Sequence, residues 1–357
     1  MSIIPLRHIS QNTEKEPGIR RYRLPDNLSS FIEQELIKIG FSLSNPKSLA
    51  RAILCQSDFY IEHPQQETSW KEHGFRAAQM AYYFPLNWIR AQAVLDRGEA
   101  VGFWHGLDSY VEFGSGLGPF SCQDRYFQSG LCVEPALEAQ TIAGSLARYL
   151  GITRPLRWDV KFEKREPVDV AIFSYVLTEL PQLPSWVHEI KTLALVEPST
   201  QKDGRRLMNI REHLIKEGYY PWAPCVHDVE CPLLAESKKD WCHDRVLFDA
   251  PPWWLEVEKY LPMKNRTITF SYLLMKKEKP APKSRNCGRL VGDSLVEKGK
   301  TRQMLCHDSS RKFLSWLHKE AGKFELPRGE IVIVPQDAVK KGTEIRIRQR
   351  PECGLSQ

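Results

Sequence analysis

No apolar run in this chain approaches the roughly 20 residues that cross a bilayer as a helix. The start, Met1-Ser-Ile-Ile-Pro-Leu-Arg-His8, also lacks the hydrophobic stretch of a secretory signal. Both absences argue for a soluble protein without a membrane partner, and Glu14, Glu16 and Pro17 argue against a clean amphipathic presequence. Missing too is the dense, regular cysteine spacing of a secreted disulfide scaffold. The nine cysteines are an odd count scattered over 357 residues, which points to a reducing compartment and to ligand or core roles. There is no internal repeat and no extended low-complexity tract. What is present is an ordinary 42% of hydrophobic residues, enough for a packed core in two or three domains.

Strong charge of one sign is likewise missing, since the formal net charge is only +6. The surplus is uneven, however. Lys276 to Lys312 and Lys340 to Arg350 hold many lysines and arginines against few acids. A polyanion is the partner class this favours, although solvated loops and a basic tail have the same composition.

The first 105 residues read as helices. Asn27 to Ile39 carries Phe31, Ile32, Leu36, Ile37 and Ile39 at helical spacing, with Asn27 or Ser29 as cap, and further helices are expected over 47–55, 74–83 and 86–96. From Ser109 the pattern changes to short apolar strands at 110–113, 130–133, 156–160, 168–174 and 193–196, with helices at 136–150 and 204–218 among them. That alternation predicts a doubly wound α/β sheet over 106–278. Thr267 to Met275 reads as an antiparallel strand at its edge, placing a cysteine-rich insertion at about 224–245. Lys276-Lys-Glu-Lys-Pro-Ala-Pro-Lys283 reads as a hinge, and 279–357 as a small basic domain with strands at 329–335 and 343–348, the second alternating apolar residues with arginines.

Two constellations carry chemistry. Val111-Glu-Phe-Gly-Ser-Gly-Leu-Gly118 is the glycine loop expected after the first strand of an S-adenosylmethionine-binding fold. Gly114, Gly116 and Gly118 let the backbone turn sharply and approach a cofactor, with Ser115 between them. Glu112 is placed to organise the loop or to meet the cofactor's amino-acid end, and Glu134, ending the next strand, to accept from ribose hydroxyls. Phe173 to Pro181 follows the presumed fourth strand, where Tyr175 and Glu179 would face cofactor and substrate. Nothing there resembles an amino-methylating motif or a nucleophilic thiol, so no catalytic residue is assigned.

The second constellation is Cys225, Cys231 and Cys242, separated by five and ten residues and set beside Pro224, Pro232 and Trp241. Zinc and iron–sulfur clusters both need several thiolates brought together. The spacing fits neither a zinc ribbon nor a ferredoxin run and does not choose between the metals. Cys306, Cys287, His227 and His243 are the candidates for a fourth ligand, while Cys55, Cys122, Cys132 and Cys353 read as core or incidental.

In order along the chain, Tyr82-Tyr-Phe-Pro-Leu-Asn, Glu112-Phe-Gly-Ser-Gly-Leu-Gly, Ser174-Tyr-Val-Leu-Thr-Glu-Leu-Pro, Val196-Glu-Pro-Ser-Thr, Ala223-Pro-Cys-Val-His-Asp, Cys231-Pro-Leu, Asp240-Trp-Cys-His and Phe270-Ser-Tyr-Leu resemble the ribosomal small-subunit Rsm-type family, also called methyltransferase-like protein seventeen. The resemblance implies a class I S-adenosylmethionine-dependent methyltransferase (Rossmann-like) fold with a helical N-terminal region, the cysteine-rich insertion and a small β-rich C-terminal domain. It implies association with small-subunit ribosomal RNA and the assembling small subunit, and a [4Fe–4S] cluster on Cys225, Cys231, Cys242 and Cys306, with catalytically active rRNA methylation as the alternative role. The short N-terminus resembles the bacterial, cytoplasmic kind, and a eukaryotic member would sit in the mitochondrial matrix. One departure stands out. Glu197-Pro-Ser-Thr200 replaces the family's Glu-Pro-Gly-Thr, so Ser199 must make a turn that glycine eases.

Overall fold

The computed structural model describes residues 19–354 apart from 64, 124, 164–166 and 282–285. The expectations for Glu14, Glu16, Pro17 and the end of the hinge at 282–283 lie outside the described residues. After a short strand, β1 (Arg21–Arg23), the chain forms α1 (Leu28–Lys38), α2 (Pro46–Glu62), α3 (His73–Ala78), a π-helical turn (Gln79–Tyr83) and α4 (Phe84–Glu99). Pro46 opens α2 and the Asn45 side chain accepts from Ser48 N at 3.3 Å, closing an otherwise unpaired end. Asn27 precedes α1 without a side-chain capping bond. Helix α1 buries Leu28, Phe31, Ile32 and Leu36, while Ile37 faces solvent.

Five strands, β2 (Ser109–Phe113), β3 (Ser129–Val133), β4 (Leu156–Asp159), β5 (Val170–Ser174) and β6 (Thr192–Glu197), are parallel and interleave with α5 (Leu137–Tyr149) and α6 (Gln201–Lys216). They are joined by β7 (Tyr220–Ala223), β8 (Asp244–Asp249) and β9 (Thr267–Lys276), with α7 (Pro232–Glu236) and α8 (Pro252–Glu258) between β7 and β9. The order is β4-β3-β2-β5-β6-β9-β8-β1, with β7 also on β9. This is a doubly wound, Rossmann-like sheet. Alternate residues face opposite layers, as pleating requires. Tyr110, Ile172, Ala194 and Val196 join the core under the N-terminal helices, whereas Val111, Ala171, Phe173, Leu193 and Leu195 join that of α6.

Strand β9 is antiparallel as expected but does not form the edge. It pairs with β6 on one side and with β8 and β7 on the other, and β1 lies beyond β8. Its residues from Phe270 to Lys276 are buried, which an edge strand open to water would not require. Lys276 belongs to this strand rather than to a hinge, its ammonium lying 4.6 Å above the Trp222 ring.

The C-terminal part is a second sheet of β10 (Cys287–Leu290), β11 (Leu295–Glu297), β12 (Lys300–His307), β13 (Ser310–Leu317), β14 (Ile331–Ile333), β15 (Val339–Lys341) and β16 (Glu344–Ile347), with α9 (His318–Ala321) after β13. Its order is β14-β10-β12-β13-β16-β15, with β11 on β12. Leu290, Leu305, Leu314, Trp316, Ile345 and Ile347 form its core. The two sheets meet through buried ion pairs. Arg97 donates to Asp244 at 2.9 and 3.2 Å and also pairs with Glu330 at 2.9 Å, which Arg20 meets at 3.1 Å. Among the described residues, no helix is long and apolar enough to cross a membrane.

Candidate functional site: a glycine-loop pocket and a cysteine seam

The sheet order reverses between β2 and β5, since the chain leaves β2 towards β3 on one side and returns through β5 on the other. Such a switch point leaves a crevice at the strand ends, and the glycine loop leaves β2 there. Gly114 (φ 63°), Gly116 (φ 51°) and Gly118 (φ 68°) all take left-handed backbone. A Cβ on Gly114 would lie 2.4 Å from Val176 Cγ2, so bare backbone is required where the loop crosses the segment after β5. Over Gly116 the nearest atom to such a Cβ is a Trp70 ring carbon at 3.7 Å, leaving ordinary contact room above the backbone.

Three carboxylates shape this crevice. Glu112 is wholly buried and accepts from Phe120 N (3.2 Å), Ser121 N (2.9 Å) and the Ser121 hydroxyl (2.5 Å). It therefore ties the loop from within, and burial raises its pKa to about 7. Glu134 accepts from Gly116 N at 2.9 Å and Ala136 N at 3.0 Å, coupling the loop to the end of β3. A carboxylate has about four lone-pair sites, so two such bonds leave room for further donors. Glu179 is raised to about 7 by burial and then by Glu134 and Glu67.

Ser115 is buried, and its hydroxyl has no hydrogen-bond partner among the described residues. Tyr175 is held in left-handed backbone (φ 61°), donates its N–H to Val196 O at 2.8 Å, and has the Arg90 guanidinium 4.5 Å over its ring. Arg90 and Trp70 bring the N-terminal helical region to the pocket. Neither was singled out from the sequence, because a helical arginine or tryptophan carries no local mark of what it will cover. The Ser199 turn needs no glycine, since Ser199 is not among the left-handed residues. Its hydroxyl donates to Thr269 Oγ1 at 2.6 Å and its carbonyl accepts from the Trp241 indole at 2.7 Å.

The second constellation lies where the sheets meet. Cys231, Leu233, Met208 and Val291 form a small apolar cluster against which Cys242, Cys306, Trp241 and Met304 pack. Burial and the neighbouring thiols of Cys225, Cys242 and Cys231 push the Cys306 thiol well up, and Cys231 is pushed up to about 12 by burial and then by Cys225. These four cysteines are thus within electrostatic reach of one another although Cys306 belongs to the second sheet. Among the described residues, no group of three or more His, Cys, Asp or Glu is arranged to hold a metal ion.

The remaining candidates separate. His227 Nε2 lies 3.5 Å from Cys306 Sγ, with its pKa lowered to about 4 by burial. His243 Nδ1 instead faces Arg328 Nη2 at 3.1 Å. Cys287 is buried on β10 opposite Ile333 of β14. Arginines, not anticipated from the sequence, surround the thiols. Arg211 Nε donates to Cys225 Sγ at 3.1 Å and its Nη2 to His227 O at 2.7 Å, and Arg289 lies directly across the β10–β12 ladder from Cys306.

The family described as mitochondrial small ribosomal subunit Rsm22 matches residues 107–324, more than half the chain and across both constellations. The chain belongs to that family. No curated protein matches this Rsm22-family member. Among solved structures it is similar to an rRNA methylase from Streptococcus thermophilus, at 12% identity and a TM-score of 0.29 over 51% of this chain and 93% of that one. It is also similar to magnesium protoporphyrin IX methyltransferase from Synechocystis with bound S-adenosylhomocysteine, at 12% identity and 0.34 over 54% and 84%. The TrmK protein of M. capricolum, in complex with the same product, matches at 8% identity and 0.32 over 52% and 69%.

Proposed function

We propose that this Rsm22-family chain is a methyltransferase-like factor of small-subunit assembly and translation that binds ribosomal RNA, with S-adenosylmethionine in the glycine-loop pocket and a [4Fe–4S] cluster on Cys225, Cys231, Cys242 and Cys306 as structural elements. The observation that supports this reading is the packing of Cys242 and, from β12, Cys306 against the small apolar cluster of Cys231, Leu233, Met208 and Val291. A single zinc ion needs its ligands around one point, about 2.3 Å from each sulfur. Cysteines of a cluster each bind a different iron, so they stand further apart. An all-cysteine donor set is the one that cluster iron takes. Holding such a group, the four side chains would fasten the second sheet to the first.

For the cofactor, the buried unpartnered Ser115 hydroxyl, the bare backbone over Gly116 and the spare lone pairs of Glu134 are the features that fit. S-adenosylmethionine, when bound, supplies an electrophilic methyl sulfonium. The chain's own part is to fix the loop through Glu112, to accept hydroxyl protons at Glu134, and to cover the site with Trp70, Arg90 and Tyr175. RNA would meet the exposed Lys340, Lys341 and Arg348 on and beside the edge strand β15, where phosphate neutralisation makes binding salt-dependent. The compartment follows the host, bacterial cytoplasm or mitochondrial matrix. Small-subunit RNA and an unrelated RNA of equal length, titrated across a salt series, test the role. Tighter, salt-sensitive binding of the former is expected, and equal affinity for both contradicts it.

An active rRNA methyltransferase is the second reading, supported by the left-handed backbone of Tyr175 just after β5 and by a Glu179 carboxyl that burial raises to about 7. Transfer of a labelled methyl group to subunit RNA, lost in a folded Gly116→Arg variant, would establish it. No transfer to any assembly intermediate would remove it.

A further inference from the structure

Arg289 is an arginine in an unusual position. Its side chain is 3% exposed, yet its Nε and Nη2 make no hydrogen bond with any described residue. The nearest carboxylate oxygen, Asp244 Oδ1, is 3.7 Å from Nη2 and already accepts from Arg97, and the guanidinium lies 5.4 Å from the centre of the Tyr272 ring. A buried guanidinium stays charged, and leaving its N–H groups unmet costs more than leaving a neutral donor unmet. The backbone places a thiol on the same face of the sheet. Arg289 and Cys306 are directly opposed across the antiparallel β10–β12 ladder, so their side chains leave the same face about 5 Å apart. Across the same group of thiols, Arg211 is 2% exposed and already donates to Cys225 Sγ.

We infer that Arg289, with Arg211, donates N–H···S hydrogen bonds to the iron–sulfur group held by the four cysteines and supplies the positive charge that sets its reduction potential. The inference rests on the cluster reading of the proposed function. Four thiolates give a cluster site net negative charge, and adding an electron in an apolar shell increases it. Fixed cations and hydrogen bonds to sulfur oppose that cost and raise the potential. Arg289 and Arg211 are positioning residues in this account, not ligands. Among the basic residues between 276 and 312, Lys277, Lys279 and Lys298 are exposed, whereas Arg289 serves the interior.

The test is a mediated dithionite titration of the anaerobically purified full chain, followed by electron paramagnetic resonance of the reduced cluster. In Arg289→Met the reduced-to-oxidised ratio at a fixed potential falls at least tenfold, a midpoint lower by about 59 mV for one electron. Arg289→Lys, which keeps the charge, recovers most of the loss. Should Arg289→Met fail to fold or to keep its iron, wild type carrying 15N-labelled arginine supplies the readout, since the reduced cluster must show 15N hyperfine coupling. A loaded cluster with an unchanged midpoint in Arg289→Met, or without 15N coupling in wild type, overturns the inference while leaving the cluster reading intact. Wild type without iron and sulfide removes both.

Discussion

At the scale of single residues, Gly114 and Gly116 make different demands although both take left-handed backbone. Alanine at Gly114 adds a methyl group 2.4 Å from Val176 Cγ2 to the conformational strain and is expected to cost about 2–5 kcal/mol. Alanine at Gly116 meets nothing nearer than 3.7 Å and should cost only the strain, about 1–2 kcal/mol. Urea midpoints of the two variants give the comparison directly, and equal losses would mean that the Val176 contact is not what fixes Gly114. Glu112 gives a pH signature. Its folded pKa of about 7 lies above the unfolded value near 4.5, so the folded state holds its proton longer. Its contribution is complete below pH 4.5 and is lost as pH rises towards 7, a change on the order of 3 kcal/mol. Thermal melts between pH 5 and 8 should show falling stability that Glu112→Gln flattens. A profile identical to wild type would place the dependence on other groups, Glu179 and Glu197 first.

At the scale of elements, α4, β8 and the turn entering β14 are joined by Arg97, which holds Asp244 and Glu330 together. Arg97→Met leaves two buried carboxylates without their main partner and is expected to destabilise by about 3–5 kcal/mol. Combining it with Asp244→Asn should cost clearly less than the sum of the single changes, because the second removes a charge that the first strands. Additive losses in a denaturant double-mutant cycle would show that the three elements are not coupled through this arginine. The same junction shows what could be read from the sequence. The five parallel strands and helices α5 and α6 were legible because each buries a repeating face, as Val111, Ala171 and Leu193 do beneath α6. Strand β8, Asp244-Arg-Val-Leu-Phe-Asp249, was not, since its first residue is a buried charge whose partner, Arg97, lies far away in the chain. Strand β13 was not legible, and β12 only through the resemblance of Arg302 to Asp308 to a family strand ending in cysteine, for a related reason: Thr301, Gln303 and Ser315 are buried polar residues held by hydrogen bonds rather than by apolar pattern. Of the candidate site, the glycine loop and three cysteines could be read locally. The charges around the thiols could not, because Arg211, Arg289 and Arg328 are ordinary surface residues until tertiary contacts bury them.

At the scale of the whole molecule, a Rossmann-like sheet and a basic β-sheet meet at a seam where Cys231, Cys242 and Cys306 pack. Not every basic residue of the second sheet is available to RNA. Lys300 pairs with Glu344 at 2.6 Å, Arg302 with Glu297 at 2.8 Å, and Arg311 with Asp240. Exposed Lys340 and Lys341 on β15 are the better candidates, and replacing both with alanine should reduce the slope of log affinity against log salt by about 1.4–1.8. An unchanged slope would move the contact surface elsewhere. The central proposal is that Cys225, Cys231 and Cys242 from the segment after β7 and Cys306 from β12 hold an iron–sulfur cluster at the seam. Iron, acid-labile sulfide and zinc analysis of the anaerobically purified chain, beside its Cys306→Ser variant, tests it most directly. The account predicts about four irons and four sulfides per wild-type chain, little zinc, and a marked loss of iron in the variant. Stoichiometric zinc, or a metal-free wild-type chain, would contradict it.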